Sequence, residues 1–485
     1  MIKIMEPTIK FFVNILICCV SVLSFHSGTV GILAGIVYLF ALVQRTEIVY
    51  PSHMKKLSVS LLVLLFLFAG NGFSQDSVLY KALKNLSGIE VVGATRKGQQ
   101  FTEAWEIKFT QPVDHNNPDG AKFTQRMFIG HVGFDRPMVL STSGYDARGL
   151  GGAEPAQLLK ANLIRVEHRY FGQSVPDPIN WKCLTVWQSA SDHHAIVQLF
   201  KQLYPGKWIS TGASKDGQTT IMFKAFYPND IDVAIPYVAP LNTAKVDPRI
   251  FTFLASVGTP GERQKVVDFQ NALFQKKKKI MPLVEEYCNK KKWTFPMGID
   301  RAYDLNVLEF PFAMWQYGVK KPMDLPGKKA PAKELFDMMM PVTDLNWFSD
   351  TGIKQFLPHY YQAMTEMGYY GYDVEPFKKY VKDKTYITYD FTLTPYGLDT
   401  TFNPKTLPFL HDFVQNKGDQ ILYIYGELDT WTATGVTKIT GPADALVMIL
   451  KGGYHGSGIR AFPADEKQKI YDTLTRWLGF TVPVE

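Results

Sequence analysis

Gly212-Ala213-Ser214-Lys215-Asp216-Gly217 is the stretch on which the fold turns. It follows a short β-type run, Lys207-Trp208-Ile209-Ser210-Thr211, and opens a helix-like run over residues 218–226, giving strand, tight turn, helix. In a G-x-S-x-G nucleophile elbow the serine sits at the apex of a strained turn, and small residues two places either side let strand and helix approach closely. Gly212 meets that need; Asp216 stands where the second glycine belongs, and Gly217 follows at once. We read an elbow with a substituted second glycine and Ser214 as the nucleophile. A carboxylate at 216 favours a helix N-terminus by roughly 0.3–1 kcal/mol but opposes a negative transition state beside it. The expectation is a catalytic penalty larger than the stability gain.

A G-x-S-x-x-G string is common in ordinary loops, so its meaning depends on what surrounds it. Upstream, residues 89–92, 104–109 and 123–132 alternate apolar and polar side chains around a turn at Asn116-Asn117-Pro118-Asp119-Gly120, which predicts antiparallel strands and a hairpin. From residue 138 the pattern changes to short apolar runs (138–141, 163–167, 208–211, 233–238, 421–425, 446–450) separated by helical or long segments, the mark of a mainly parallel sheet with crossover helices. That order predicts an α/β-hydrolase. Between 247 and 419 the alternation stops, and helix-like runs such as 262–287 and 335–340 mix with dense aromatics including Trp315, Tyr317, Tyr369, Tyr370 and Tyr372, so we expect an inserted helical cap. The core divides into 76–246 and 420–485, closed by an amphipathic helix over 464–478.

A serine nucleophile needs a base, and the base an orienting carboxylate, in the chain order Ser, acid, His. Gly426-Glu427-Leu428-Asp429-Thr430-Trp431 follows the strand at 421–425, and Gly452-Gly453-Tyr454-His455-Gly456 follows the strand ending at Leu450. Asp429 and His455 therefore fall just past the carboxyl ends of strands, in the required order. The oxyanion hole needs two backbone donors; Lys215 supplies one, and the loop Ser143-Gly144-Tyr145 the other, through Tyr145. His168 is expected to be a packed structural histidine, and the adjacent His193 and His194 do not share a helix face, which argues against a metal site.

With 485 residues, 46% hydrophobic and 20% charged, the chain is globular. Its formal charge of +7 includes lysine runs at 276–279 and 290–292, expected to be solvated helix faces. No zinc-finger spacing, P-loop or aromatic RNA-binding motif is present, which speaks against nucleic-acid partners. Met54-Lys55-Lys56, the apolar run 57–69 and Gly70-Asn71-Gly72-Phe73-Ser74-Gln75 form a complete signal peptide over 54–75, so residues 1–53 are expected to be an upstream extension from a misassigned start, with a membrane anchor the rival reading. Export to the periplasm or beyond follows, with no stable membrane association after cleavage. Beyond Cys18 and Cys19 in that region, Cys183 and Cys288 form one possible pair, though nothing in their spacing requires it, and two free buried thiols is the preferred expectation.

Phe109-Thr110-Gln111-Pro112-Val113-Asp114-His115, Phe123-Thr124-Gln125-Arg126, Glu167-His168-Arg169-Tyr170-Phe171-Gly172-Gln173-Ser174, Leu184-Thr185, Asp192-His193-His194 and Ser210-Thr211-Gly212-Ala213-Ser214-Lys215 together resemble the secreted bacterial prolyl tri- and tetrapeptidyl aminopeptidases, relatives of the lysosomal Pro-X carboxypeptidase group. The resemblance runs from about residue 86 to the C-terminus and departs from the family at Asp216. It implies an α/β-hydrolase with a helical cap that cleaves short peptides from a free N-terminus, often after proline, without a cofactor. An aminopeptidase must hold a charged amine, and Glu366, within an aromatic segment of the cap, is the expected partner. The alternatives are an esterase or lipase of the same fold and a catalytically silent peptide-binding protein.

Overall fold

The computed structural model describes residues 77–381 and 386–483. The expectations for residues 1–53, the signal peptide at 54–75, and with them Cys18 and Cys19, lie outside the described residues. After a short helix α1 (Val78–Lys84), strands β1 (Ile89–Ala94), β2 (Glu103–Pro112) and β3 (Lys122–His131) pair antiparallel in succession. Strand β4 (Met138–Ser141), helix α2 (Glu154–Leu158), strand β5 (Asn162–Val166), helix α3 (Val186–Phe200), strand β6 (Trp208–Ala213), helix α4 (Lys215–Phe226) and strand β7 (Val233–Tyr237) follow.

An insertion then carries helices α5 (Arg249–Leu254), α6 (Pro260–Gln275), α7 (Lys277–Lys291), α8 (Ile299–Tyr317), α9 (Ala332–Met339) and α10 (Asp350–Gln362), a small antiparallel pair β8 (Gly371–Asp373) and β9 (Tyr386–Thr388), and helix α11 (Thr406–Asn416). Strands β10 (Ile421–Gly426) and β11 (Ala445–Leu450) and helix α12 (Ala464–Leu478) close the chain.

The main sheet has nine strands in the order β1-β2-β3-β5-β4-β6-β7-β10-β11. From β5 onward all neighbours are parallel. Strands β4 and β7 are buried along their whole length, as expected of parallel strands covered on both faces, whereas the edge strand β1 alternates between half-buried and exposed. Helix α12 covers one face through Ile470, Tyr471, Leu474, Trp477 and Leu478, whose spacing lines one stripe of a helix. Because β5 lies on one side of β4 and β6 on the other, the chain reverses its direction of winding there. Parallel sheets open a crevice beyond the carboxyl ends of strands at such a point.

The insertion departs from expectation in three places. The run at 262–287 forms two helices, because the chain leaves helical geometry at Lys276 (φ −99°, ψ 10°); α6 begins with a reciprocal Thr259–Glu262 cap. The lysine run at 276–279 is partly an anchor: Lys276 donates to the Ala330 carbonyl, and Lys277 pairs with Asp304 at 2.6 Å and Asp300 at 2.9 Å. The insertion is also not wholly helical, since β8 and β9 form a two-stranded sheet and residues Ala363–Met367 make a single wide π-helical turn after α10. Cys183 and Cys288 are both free and buried. Among the described residues no helix is long and apolar enough to cross a membrane.

Candidate active site

Ser214 occupies the turn between β6 and α4 with φ 58° and ψ −126°, a backbone conformation that a residue with a side chain adopts only under constraint. The constraint is visible. Its amide donates to the Tyr237 carbonyl at the end of β7 at 2.8 Å, and its carbonyl accepts from Gln218 at 2.9 Å. The flanking glycines supply the room: a Cβ at Gly212 would lie 2.4 Å from the carbonyl carbon of Asp216, and one at Gly217 would lie 2.8 Å from the Tyr237 oxygen. The close approach to β7 is thus made at 217, one position after the consensus site. The Ser214 side chain is not used to cap the helix it precedes.

Asp216 has a partner that its place in the sequence does not predict. Its Oδ1 accepts the Gly144 amide at 2.5 Å, fastening the loop after β4 to the first turn of α4. The same loop is tied by Thr142, whose hydroxyl donates to the Asp216 carbonyl at 3.1 Å. Burial pushes the Asp216 carboxyl above the usual carboxylate range, and the Gly144 bond opposes that shift. The side chain is a strut between the two segments expected to donate to an oxyanion. Neither the Lys215 nor the Tyr145 amide has an acceptor among the described residues, so both remain available for one.

Asp429 and His455 are brought together as the sequence predicts. Asp429 is fully buried, accepts from His455 Nδ1 at 2.7 Å and, with its other oxygen, from the Trp431 amide at 3.1 Å. Burial raises its carboxyl, and the bond from His455 lowers it. The two loops lock through Leu428 N–H to the Gly453 carbonyl at 2.8 Å, and a Cβ at Gly426 would lie 2.6 Å from Gly453. With Nδ1 on Asp429, the free nitrogen of His455 is Nε2. Ser214 Oγ makes no hydrogen bond to it in this structure; such contacts tighten when substrate arrives.

The side chain of Lys215 reaches Gln362 Oε1 at 3.0 Å, with its ammonium 5.7 Å from the centre of the Tyr145 ring. Burial lowers that ammonium to about 7. His168 is a packed histidine bonded to the Arg169 carbonyl, and burial together with the Lys215 charge keeps it neutral. Several quoted motifs converge on structure, not on the site. Arg169 forks onto Asp192 with two bonds of 2.7 Å and donates to the Val113 and Cys183 carbonyls, while His115 also bonds Asp192. No cluster of metal-ligating side chains occurs among the described residues.

Glu366, the expected partner of the substrate amine, has partners within the chain. Its two oxygens are already occupied, by the Val186 amide that begins α3 at 2.7 Å and by the Thr406 hydroxyl that begins α11 at 2.6 Å. It is buried and joins two helix starts, which gives it a structural role within the chain. The carboxylate that sequence reasoning passed over is Glu309 on α8. Tyr370, Tyr372 and Tyr389 all place their hydroxyls on it, and burial raises its carboxyl to about 7. The signal was present: Glu309 is the one charged residue in Leu305-Asn306-Val307-Leu308-Glu309-Phe310-Pro311-Phe312.

Strand order, the switch point beside β4 and the strained serine after a central parallel strand make this molecule an α/β-hydrolase. The profile described as PS-10 peptidase S37 matches residues 81–484. The prolyl tri/tetrapeptidyl aminopeptidase of Streptomyces mobaraensis is 31% identical over 380 residues, covering 77% of this chain and 80% of that protein. The chain belongs to the PS-10 peptidase S37 family and is a serine peptidase. Among solved structures, it overlaps proline iminopeptidase from Mycobacterium smegmatis with a TM-score of 0.39 at 12% identity, covering 76% of this chain and 98% of that one. An esterase from Pyrococcus furiosus overlaps with a TM-score of 0.36 at 13% identity, covering 80% and 96%.

Proposed function

We propose that this chain is an exported serine exopeptidase that releases tri- and tetrapeptides from the free N-terminus of peptides, often after proline. The observation that carries the chemistry is the pairing of His455 with buried Asp429 at the carboxyl ends of β10 and β11, on the same edge of the sheet as the strained Ser214. Ser214 Oγ attacks the scissile carbonyl as His455 Nε2 takes its proton, and Asp429 holds the imidazole in that tautomer and steadies the imidazolium. The Lys215 and Tyr145 amides receive the oxyanion. Collapse expels the new amine, protonated by His455, and leaves the N-terminal fragment as an ester on Ser214. Water, activated by His455, then frees it.

The fragment length and the proline preference are supported by the aminopeptidase named above as a relative. Export rests on the signal-like run at 54–75, with 1–53 as an upstream extension and 247–419 as a cap over the core. The test pairs fluorophosphonate labelling with a free-amine peptide library read by mass spectrometry. Labelling lost in Ser214→Ala, with fragments of three or four residues, is the expected result. Labelling that survives Ser214→Ala refutes the nucleophile, and release of single residues or internal fragments refutes the exopeptidase length.

A further inference from the structure

Helix α8 presents a carboxylate that no cation among the described residues answers. Glu309 Oε2 accepts from Tyr372 at 2.7 Å, from Tyr370 at 3.0 Å and from Tyr389 at 3.2 Å, the Tyr370 hydroxyl also lies 3.1 Å from Oε1, and these hydroxyls bond one another, Tyr389 to Tyr370 at 2.6 Å. Three hydroxyls hold three protons between them, while an ionised carboxylate offers about four acceptor sites. With some of those protons shared among the hydroxyls themselves, acceptor capacity is left over. The influences on the Glu309 carboxyl are burial and the three tyrosines, with no lysine or arginine among them. The three tyrosines are buried, yet Glu309 itself keeps accessible surface. The tyrosines thus wall the carboxylate, while the residue that carries it is not fully sealed from solvent. A carboxylate without a counter-charge, walled by aromatic rings, has the chemistry that receives an ammonium group.

Its place on the helix supplies a length. Seven residues later on α8, the Gln316 carbonyl accepts the His455 amide at 2.9 Å, and the next residue, Tyr317, sets its ring edge-on to the His455 imidazole at 5.8 Å. Positions seven apart lie on one face of a helix, and at 1.5 Å per residue they are about 10 Å apart along its axis. An extended peptide covers about 3.3 Å per residue, so three residues span about 10 Å and four about 13 Å.

We propose that Glu309, held by Tyr370, Tyr372 and Tyr389, binds the substrate's N-terminal ammonium, and that the stretch of α8 between Glu309 and Gln316 measures the released fragment. This deepens the proposed function and rests on it. The experiment uses the full-length protein with tri- and tetrapeptide substrates ending in a fluorogenic amide, each with a free or an acetylated N-terminus, alongside fluorophosphonate labelling. Glu309→Gln should raise KM for the free-amine substrates by about 10- to 100-fold, leave acetylated substrates and labelling unchanged, and blur the fragment length. Glu309→Asp, which keeps the charge, should retain most of the preference for a free amine, and it carries the test if the glutamine variant does not fold. Equal losses on free and acetylated peptides overturn the anchor while leaving the peptidase reading intact. A wild-type protein that is labelled but cleaves neither set overturns the peptidase reading itself.

Discussion

The buried acids at the carboxyl edge of the sheet and Glu309 in the insertion after β7 are treated in opposite ways. On the sheet side each buried acid is answered within the chain: Asp429 by His455 and the Trp431 amide, Asp216 by the Gly144 amide, Asp192 by the Arg169 fork. In the insertion Asp304 is likewise answered, by Lys277, but Glu309 meets only tyrosine hydroxyls, and the ammonium of Lys215, from the elbow, meets the neutral Gln362 of α10. An answered charge fixes geometry before substrate arrives, which suits groups that must be in register for bond-making. An unanswered one stores a preference for a partner of opposite sign, which suits recognition. On the proposed function, the contrast separates the groups that react from the one that would select.

The most severe test strikes the reacting groups. Ser214→Ala and His455→Ala should each lower kcat by about 10⁴- to 10⁶-fold, and Asp429→Asn by about 10⁴-fold, since such residues act as a unit. Near-normal turnover in His455→Ala would make the Asp429–His455 pair a structural contact and erase the contrast. Next in size is Asp216→Gly, which restores the consensus glycine but deletes the bond to Gly144. We expect kcat/KM to fall by about 10- to 100-fold through a loosened oxyanion loop, with a lower melting temperature. A faster enzyme would mean that the carboxylate burdens the transition state after all.

Two smaller effects sharpen the comparison through stability. Burial lowers Lys215 to about 7, below its value in the unfolded chain, so between pH 7 and 10 the unfolded state binds more protons. The sign is therefore a gain in stability with rising pH, of about 2 kcal/mol between pH 7 and 9. Melts across that range should show the gain in the wild type and a flatter profile in Lys215→Met; parallel profiles would mean that Lys215 is answered by a charge. Glu366→Gln sets an amide NH₂ against one of two donors and should cost about 1–2 kcal/mol of stability. It should leave the preference for free over acetylated peptides unchanged, the reverse of Glu309→Gln.

Legibility in the sequence divides along the same line. Every strand of the main sheet lies where apolar runs and turn residues put it, within about three residues, and Ser214, Asp429 and His455 fall at strand ends because a parallel sheet delivers each strand's carboxyl end to one edge. The insertion was legible only as helical and aromatic. Glu366 and Glu309 both sit among aromatics in the sequence; Glu309 stands out only as the lone charge of an apolar run, and nothing local names the tyrosines that meet it or the helix starts that meet Glu366.

By itself, then, the sequence determined what depends on short-range physics: the period of burial along each strand, the strained turn made possible by Gly212, and the order of the reacting groups. The tertiary structure alone decided what depends on groups far apart in the chain. The Tyr370, Tyr372 and Tyr389 hydroxyls reach Glu309 across 61 to 80 residues, and Asp216 reaches Gly144 across 72. A buried carboxylate takes its role from the partners that packing brings within hydrogen-bond distance, and those partners leave no periodic trace in the chain.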